Sequence, residues 1–146
     1  EFRNLSLAVA DNFENRGAAD YAEEYVTVPG RLTFRDKDPR GWAAFVARLA
    51  EHPDIGSALT QRGVQSSRPG LWDLEENIRA IPVPTMIVTG DDDQRCLAPG
   101  LFMKDLIERS RLFVMPHTGH VLNLEEPELF NTVLDEFLSD VEAGKA

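Results

Sequence analysis

The sequence predicts an α/β protein with a helical first half and a βαβα second half. Two short apolar runs, at residues 86–88 and 112–115, are unbroken rather than alternating, which is typical of strands buried on both faces of a parallel sheet. A helix-length segment separates the runs, as the right-handed crossover between parallel strands requires. Residues 66–70 are rich in serine, proline and glycine, so we place the boundary between the halves near residue 68.

Length, composition and charge exclude several classes of protein. The chain has 146 residues, of which 42% are hydrophobic and 27% charged, as is ordinary for one globular domain. No apolar run approaches the roughly 20 residues of a membrane-spanning helix. From this we expect no membrane partner. The formal charge of −10 repels phosphate backbones, so we expect no nucleic-acid partner. The single cysteine, Cys96, cannot form an internal disulfide and indicates a reducing compartment, which we take to be the cytoplasm.

Apolar spacing and turn residues assign the elements of the first half. Residues 5–25 predict two short helices divided at Gly17. Residues 27–37 contain a Pro-Gly pair and a mixed polar run, and we expect a connecting loop there. Asp38-Pro39 then predicts a helix start, with a side chain able to cap and a proline at the first helical position. A further short helical turn is expected within residues 55–65.

The second half alternates helices with the two strands. Residues 71–78 space their apolar side chains as a helix does, and a proline-containing segment separates this helix from the first strand. Ala98-Pro99 predicts the start of the helix between the strands. Glu126-Pro127 predicts the start of the last helix, whose apolar stripe is the most regular in the sequence.

Acidic and imidazole side chains follow the two predicted strands. Asp91, Asp92 and Asp93 come directly after the first strand, and His117 and His120 follow the second. Because the carboxyl ends of parallel strands meet at one edge of a sheet, we expect these groups to lie close together. A carboxylate that accepts a hydrogen bond from an imidazole fixes the tautomer of that ring, which is how an acid orients a general base. The pattern therefore predicts two members of a catalytic triad.

Two motifs in this half resemble the C-terminal part of the α/β-hydrolase family. The first is Pro-Thr-Met-Ile-Val-Thr-Gly-Asp-Asp-Asp at residues 84–93, and the second is Pro-His-Thr-Gly-His at residues 116–120. The resemblance implies that Asp93, at the fourth position counted from the glycine, is the acid of the triad. It also implies that His120 is the base.

The resemblance also implies how the chain is divided. Residues 69–146 correspond to the last two strands of the family's sheet with their flanking helices, and residues 1–68 occupy the place of its helical cap or lid. The family's nucleophile lies in a Gly-x-Ser-x-Gly motif, which this sequence lacks. Since the family order is nucleophile, acid and then histidine, the resemblance implies that the nucleophile and the oxyanion hole lie upstream of residue 1.

On this reading the protein is a serine-type hydrolase that acts on a small ester or another activated carbonyl compound and needs no cofactor. The missing N-terminal half of the fold becomes a required partner. Because removal of a triad nucleophile lowers kcat by about 10⁶ in subtilisin, we expect the 146-residue chain to be inactive by itself.

Other interpretations of the same residues remain open. The three aspartates could form a solvated turn or a divalent-metal site, although consecutive side chains point in divergent directions. His117 is expected to be structural. Cys96 could line the site, but we expect it to act as a small buried hydrophobic residue.

The main alternative function is a non-catalytic module that binds a partner or dimerises. Two parallel strands with three flanking helices leave at least one strand edge unpaired. Exposed edges and apolar faces favour self-association, so we expect a dimer or a swapped assembly.

Overall fold

The computed structural model describes residues 2–145, in which it contains eight α-helices and two β-strands. The helices are α1 (Phe2–Val26), α2 (Pro29–Lys37), α3 (Pro39–Ala50), α4 (Asp54–Thr60), α5 (Glu75–Arg79), α6 (Gln94–Leu106), α7 (Leu122–Glu125) and α8 (Pro127–Glu142). The strands are β1 (Thr85–Gly90) and β2 (Ser110–Met115), and shorter helical turns occur at Gln61–Gln65 and Leu71–Leu74. No helix among the described residues is both long enough and apolar enough to cross a membrane.

The chain forms two compact units, one of which is discontinuous in sequence. The first unit combines the chain up to Val28 with Pro39–Gly70, and the second combines Pro29–Asp38 with the chain from Leu71 onward. Both strands belong to the second unit. The assignment of residues 1–68 as a cap and 69–146 as part of a hydrolase core stays a prediction.

An aromatic cluster forms the centre of the first unit. The ring of Phe13 lies edge-on to the ring of Tyr21, with centroids 5.2 Å apart, and 5.3 Å from the ring of Tyr25. Ala10 and Ala58 pack against this cluster and are fully buried. Edge-to-face aromatic pairs add about 0.5–1.5 kcal/mol to the free energy that burial alone supplies. The cluster thus joins the two chain segments of this unit, which are separated in sequence.

The predicted break between the first two helices is confirmed as a kink in α1. Gly17 has φ 78° and ψ 163°, a conformation that is essentially restricted to glycine. The helix resumes at Ala18, whose N–H would lack a partner at a new helix start. The Asp54 carboxylate accepts this N–H at 2.6 Å, and so supplies the missing cap from another helix.

The sheet of the second unit confirms the predicted parallel βαβ arrangement. β1 and β2 pair in parallel from Thr85 opposite Ser110 to Gly90 opposite Met115. The crossover helix α6 packs on both strands. A separate apolar cluster joins α5 to the end of α6 through Ile78, Leu106 and Ile107.

The strands are less buried than the sequence predicts. In β2, Met115 is the only residue classed as buried, and β1 is buried mainly towards its carboxyl end. The physical reason is that a two-stranded sheet gives each strand one neighbour. No described residue of α8 is buried either, and Leu138 in its apolar stripe is 47% exposed.

The structure corrects two local predictions and adds one helix. The segment expected to be a loop at residues 27–37 contains helix α2, because Pro29 occupies the first helical position and Phe34 supplies a buried apolar anchor. The crossover helix begins at Gln94 rather than at Ala98-Pro99, and Pro99 lies inside it. A proline in that position removes one helical N–H donor without ending the helix. The short helix α7 was not predicted at all.

Substitution of Gly17 by alanine should destabilise the protein by about 1–3 kcal/mol, since alanine is strained at this backbone conformation. The new Cβ would also lie 3.2 Å from both carboxylate oxygens of Asp54. Chemical denaturation measures the change. Gly63→Ala is the matched control, because its Cβ would meet nothing within 4 Å. Equal stabilities of the two variants would contradict the role given to Gly17.

Candidate active site

The turns that follow the two strands are bonded directly to each other. The Asp91 N–H donates to the Met115 carbonyl oxygen at 3.0 Å, and the Asp92 N–H donates to the Thr118 carbonyl oxygen at 3.0 Å. These bonds continue the strand pairing past the end of the sheet. The side chains on the two turns are therefore held at the carboxyl edge of β1 and β2, where open α/β sheets carry their binding sites.

The structure brings Asp93 and His120 together, as the sequence predicts. His120 Nδ1 lies 2.6 Å from Asp93 Oδ2. Asp93 is only 6% exposed, whereas the His120 side chain is 48% exposed. Because an ionised carboxylate can only accept, Nδ1 carries the hydrogen and Nε2 is the ring nitrogen able to take up a proton. The geometry is that of a base held by a buried acid, while the catalytic roles of the two residues stay a prediction.

The backbone around His120 is bound on both sides. The His120 N–H donates to the Gly30 carbonyl oxygen at 2.5 Å, and the Gly119 N–H donates to Glu125 Oε2 at 2.9 Å. A Cβ at Gly119 would lie 2.3 Å from the Gly30 oxygen, so only glycine fits in this position. The first residues of α2 therefore form one wall of the histidine turn.

The three consecutive aspartates bind three different partners. Asp91 Oδ1 accepts the Thr118 N–H at 3.1 Å, and backbone N–H groups of His117 and then Thr118 lower the pKa of Asp91. Asp92 Oδ2 lies 3.8 Å from the ring of His117, which is largely exposed. The carboxylates of Asp91 and Asp92 therefore point to different partners. Asp91 thus ties the histidine turn to the end of β1.

His117 has a structural position in this turn. Its φ is 52°, the left-handed region that side chains other than those of glycine, asparagine and aspartate rarely adopt. The conformation turns the chain sharply after β2, so that Gly119 and His120 reach the sheet edge. The assignment of the catalytic imidazole to His120 rather than to His117 stays a prediction.

Cys96 lies beside Asp93 and His120. Of the two interpretations of Cys96, this position fits the less favoured one, in which it lines the site, better than that of a small buried hydrophobic residue. Its Sγ is 3.9 Å from His120 Nδ1. Burial, and then its hydrogen bond to Asp93, raise the pKa of the Cys96 thiol to about 11. Asp93, Cys96 and His120 place one potential metal-ligand atom each within 4.8 Å of one another. Hydrogen bonds within the group, from the Cys96 thiol to Asp93 and between Asp93 and His120 Nδ1, are sufficient to hold the three side chains together.

Sequence reasoning missed three contributors to the site. Glu125 directly precedes Glu126-Pro127, the pair that predicts the start of the last helix, and no pattern in the sequence assigns it to the site. Asp91 was treated as a neighbour of Asp93 without a role of its own. Gly30 lay in a segment expected to be a loop, and no local pattern in the sequence signals its long-range contact with His120.

The chain belongs to the alpha/beta hydrolase family, whose model matches residues 3–133. Its fold is similar to that of MenH from S. aureus, with a TM-score of 0.88, 20% identity and coverage of 95% of this chain and 52% of MenH. A thermophilic esterase from Thermogutta terrifontis gives a TM-score of 0.80 at 25% identity, with coverage of 95% of this chain and 50% of the esterase.

Curated relatives match a shorter part of the chain. The 2-hydroxy-6-oxo-6-(2'-aminophenyl)hexa-2,4-dienoic acid hydrolase of Metapseudomonas resinovorans is 39% identical over 71 residues, which are 48% of this chain and 24% of that hydrolase. The chain thus spans about half the length of the similar solved structures and about a quarter of this hydrolase.

Loss of the Asp91 charge should lower stability at neutral pH and have less effect in acid. Because the pKa of Asp91 is lowered on folding, its stabilising contribution is present above the ordinary value of 3.8 and is lost as pH falls through the lowered value. Urea denaturation from pH 7 to pH 2 should therefore show the difference between wild type and Asp91→Asn shrinking in acid. Asp92→Asn is the control, because it removes the same charge from the same turn but from a carboxylate that lies 3.8 Å from the ring of His117. A difference for Asp91→Asn that is constant across this pH range would contradict the assignment.

Proposed function

We propose that this chain carries the acid and the general base of a serine-type α/β-hydrolase. The observation that carries the proposal is the 2.6 Å contact between His120 Nδ1 and Asp93 Oδ2 at the carboxyl edge of the sheet. A buried carboxylate that accepts from Nδ1 holds the imidazole in one tautomer and stabilises the imidazolium when it forms. The family assignment supports the reading of this pair as two members of a triad.

In the proposed reaction, His120 Nε2 takes the proton of a serine hydroxyl as the serine oxygen attacks the substrate carbonyl. The resulting imidazolium donates that proton to the leaving group, which departs and leaves an acyl-enzyme. Water then attacks the acyl group in the same way, its proton passing to Nε2 and then to the released serine oxygen. Asp93 remains ionised throughout and accepts the Nδ1 hydrogen.

The nucleophile is proposed to lie outside these 146 residues. The sequence contains no Gly-x-Ser-x-Gly motif, and the chain covers about half of the similar solved structures. The serine and the oxyanion hole would come from the remaining part of the fold, which is then a required partner. A small ester or another activated carbonyl compound is the proposed substrate class, since two relatives are described as an esterase and a hydrolase.

A second candidate function is a non-catalytic module that binds through its unpaired surfaces. The observation that favours it is the exposure of apolar side chains in the second unit. Described examples include Val114 in β2 and Leu138 in α8. Each strand also has a single neighbour in the sheet. Surfaces of this kind take up a further strand or a second copy of the chain.

The chain alone should not hydrolyse p-nitrophenyl esters, nor should a fluorophosphonate label it. When the missing half of the fold is supplied as a separate polypeptide, labelling should appear on a serine of that polypeptide. His120→Ala should then lower kcat by about 10⁶, the loss measured for a triad histidine in subtilisin. Turnover by the chain alone that His120→Ala abolishes would contradict the division proposed for the triad.

The chain alone should form a dimer at tens of micromolar protein, because its strand edges and apolar faces remain uncovered. Sedimentation velocity measures this state. Val114→Lys, in β2, should shift the chain towards monomer, since lysines on edge strands oppose strand addition. Leu59→Lys is the matched control, because it changes an exposed leucine in the first unit. A wild-type chain that sediments as a monomer would contradict the prediction.

A further inference from the structure

Glu125 is a buried carboxylate that the proposed reaction does not use. The residue is 7% exposed and ends the short helix α7. Its Oε2 accepts the Gly119 N–H at 2.9 Å, while Oε1 is enclosed and has no hydrogen-bond partner among the described residues. A buried carboxylate with one oxygen unsatisfied destabilises a fold. The position of this group therefore calls for a role beyond packing.

The partner of Glu125 is the N–H of Gly119, the residue that directly precedes the proposed base. Gly119 has no side chain with which to fix its own position, and a Cβ there would lie 3.0 Å from Glu125 Oε1. The next N–H along the chain, that of His120, is bound from another side by the Gly30 oxygen. Two consecutive amides are thus held by two separate elements, α7 and α2.

We propose that Glu125 is a positioning residue for His120. By accepting the Gly119 N–H it fixes the backbone one residue before His120, so that Nδ1 stays within hydrogen-bond distance of Asp93 and Nε2 keeps one direction. This inference rests on the proposed function in that His120 is the base. It assigns to Glu125 no contact with substrate or with the reacting atoms.

Two neighbouring glutamates provide controls that distinguish a specific role of Glu125 from the effect of any negative charge in this segment. Glu126 pairs with Lys37 at 2.5 Å and precedes the first residue of α8. Glu128 is exposed in the first turn of α8. Neither side chain is bonded to the histidine turn in the structure. A test can therefore compare the same substitution at a buried and an exposed glutamate three residues apart.

The length of the side chain distinguishes an accepting oxygen from a charge. Glu125→Asp keeps the charge but shortens the side chain by one methylene, which withdraws the carboxylate from the Gly119 N–H. Glu125→Gln keeps the length and one accepting oxygen but removes the charge. If the accepting oxygen positions His120, glutamine preserves the geometry and aspartate loses it.

The experiment uses ¹⁵N-labelled wild-type chain and the variants Glu125→Asp, Glu125→Gln, Glu128→Asp and Glu128→Gln. NMR records the downfield resonance of the His120 Nδ1 proton, the ring ¹⁵N shifts that report the tautomer, and exchange of the Gly119 amide. Glu125→Asp should broaden or lose the Nδ1 resonance and exchange the Gly119 amide about tenfold faster, as expected for loss of a hydrogen bond to a charged group. The other three variants should resemble wild type.

An unchanged Nδ1 resonance and unchanged Gly119 exchange in Glu125→Asp would overturn the inference. If that variant fails to fold, the deciding measurement is the coupling through the hydrogen bond between Gly119 ¹⁵N and the Glu125 carboxylate ¹³C in the wild-type chain labelled with both isotopes. Detection of this coupling supports the inference, and its absence overturns it. None of these measurements requires turnover, so failure of the labelling experiment and failure of this one are distinguishable.

Discussion

Parallel pairing of β1 with β2 is the constraint on which the site depends. The register ends with Gly90 opposite Met115, so that the next residues of both strands leave the sheet at the same edge. A slip of one residue would move Asp93 by about 3.3 Å along the strand and exchange the faces of the sheet. The 2.6 Å contact with His120 would then be lost. Register, rather than any single side chain, sets the geometry of the acid and the histidine.

In the turns after the strands, adjacent residues hold different parts of the site in place. Asp91 binds the backbone of the opposite turn, and Asp93 binds the ring that this turn carries. The left-handed φ of His117 and the missing side chain of Gly119 let the second turn approach closely enough for both bonds. Hydrogen bonds to the backbone of this turn therefore position the imidazole, in addition to the hydrogen bond that Asp93 makes with the ring. A site built in this way tolerates an exposed histidine without losing its direction.

Much of this could be predicted from the sequence because its signals are local. Unbroken apolar runs mark the two strands, and the spacing from each strand to the polar residues after it selects the sheet edge. The contacts of Gly30 with His120 could not be predicted, because the residues are far apart in sequence and neither strand nor helix periodicity reports such packing. The role of Glu125 was hidden for a different reason, since a glutamate before Glu126-Pro127 resembles an ordinary helix start. The exposure of α8 was missed because periodicity shows which face is apolar, not what covers it.

The second unit is discontinuous, and this has a consequence for the order in which the molecule assembles. Helix α2 is synthesised before Pro39–Gly70. Its Gly30 carbonyl oxygen accepts the N–H of His120, and its Lys37 pairs with Glu126. These partners lie 89 residues or more further along the chain. The helix leaves the ribosome long before these partners exist. Closing so long a loop has an entropic cost that contacts made late in folding must offset. The contact between Gly30 and His120 therefore cannot form until the last third of the chain has been synthesised.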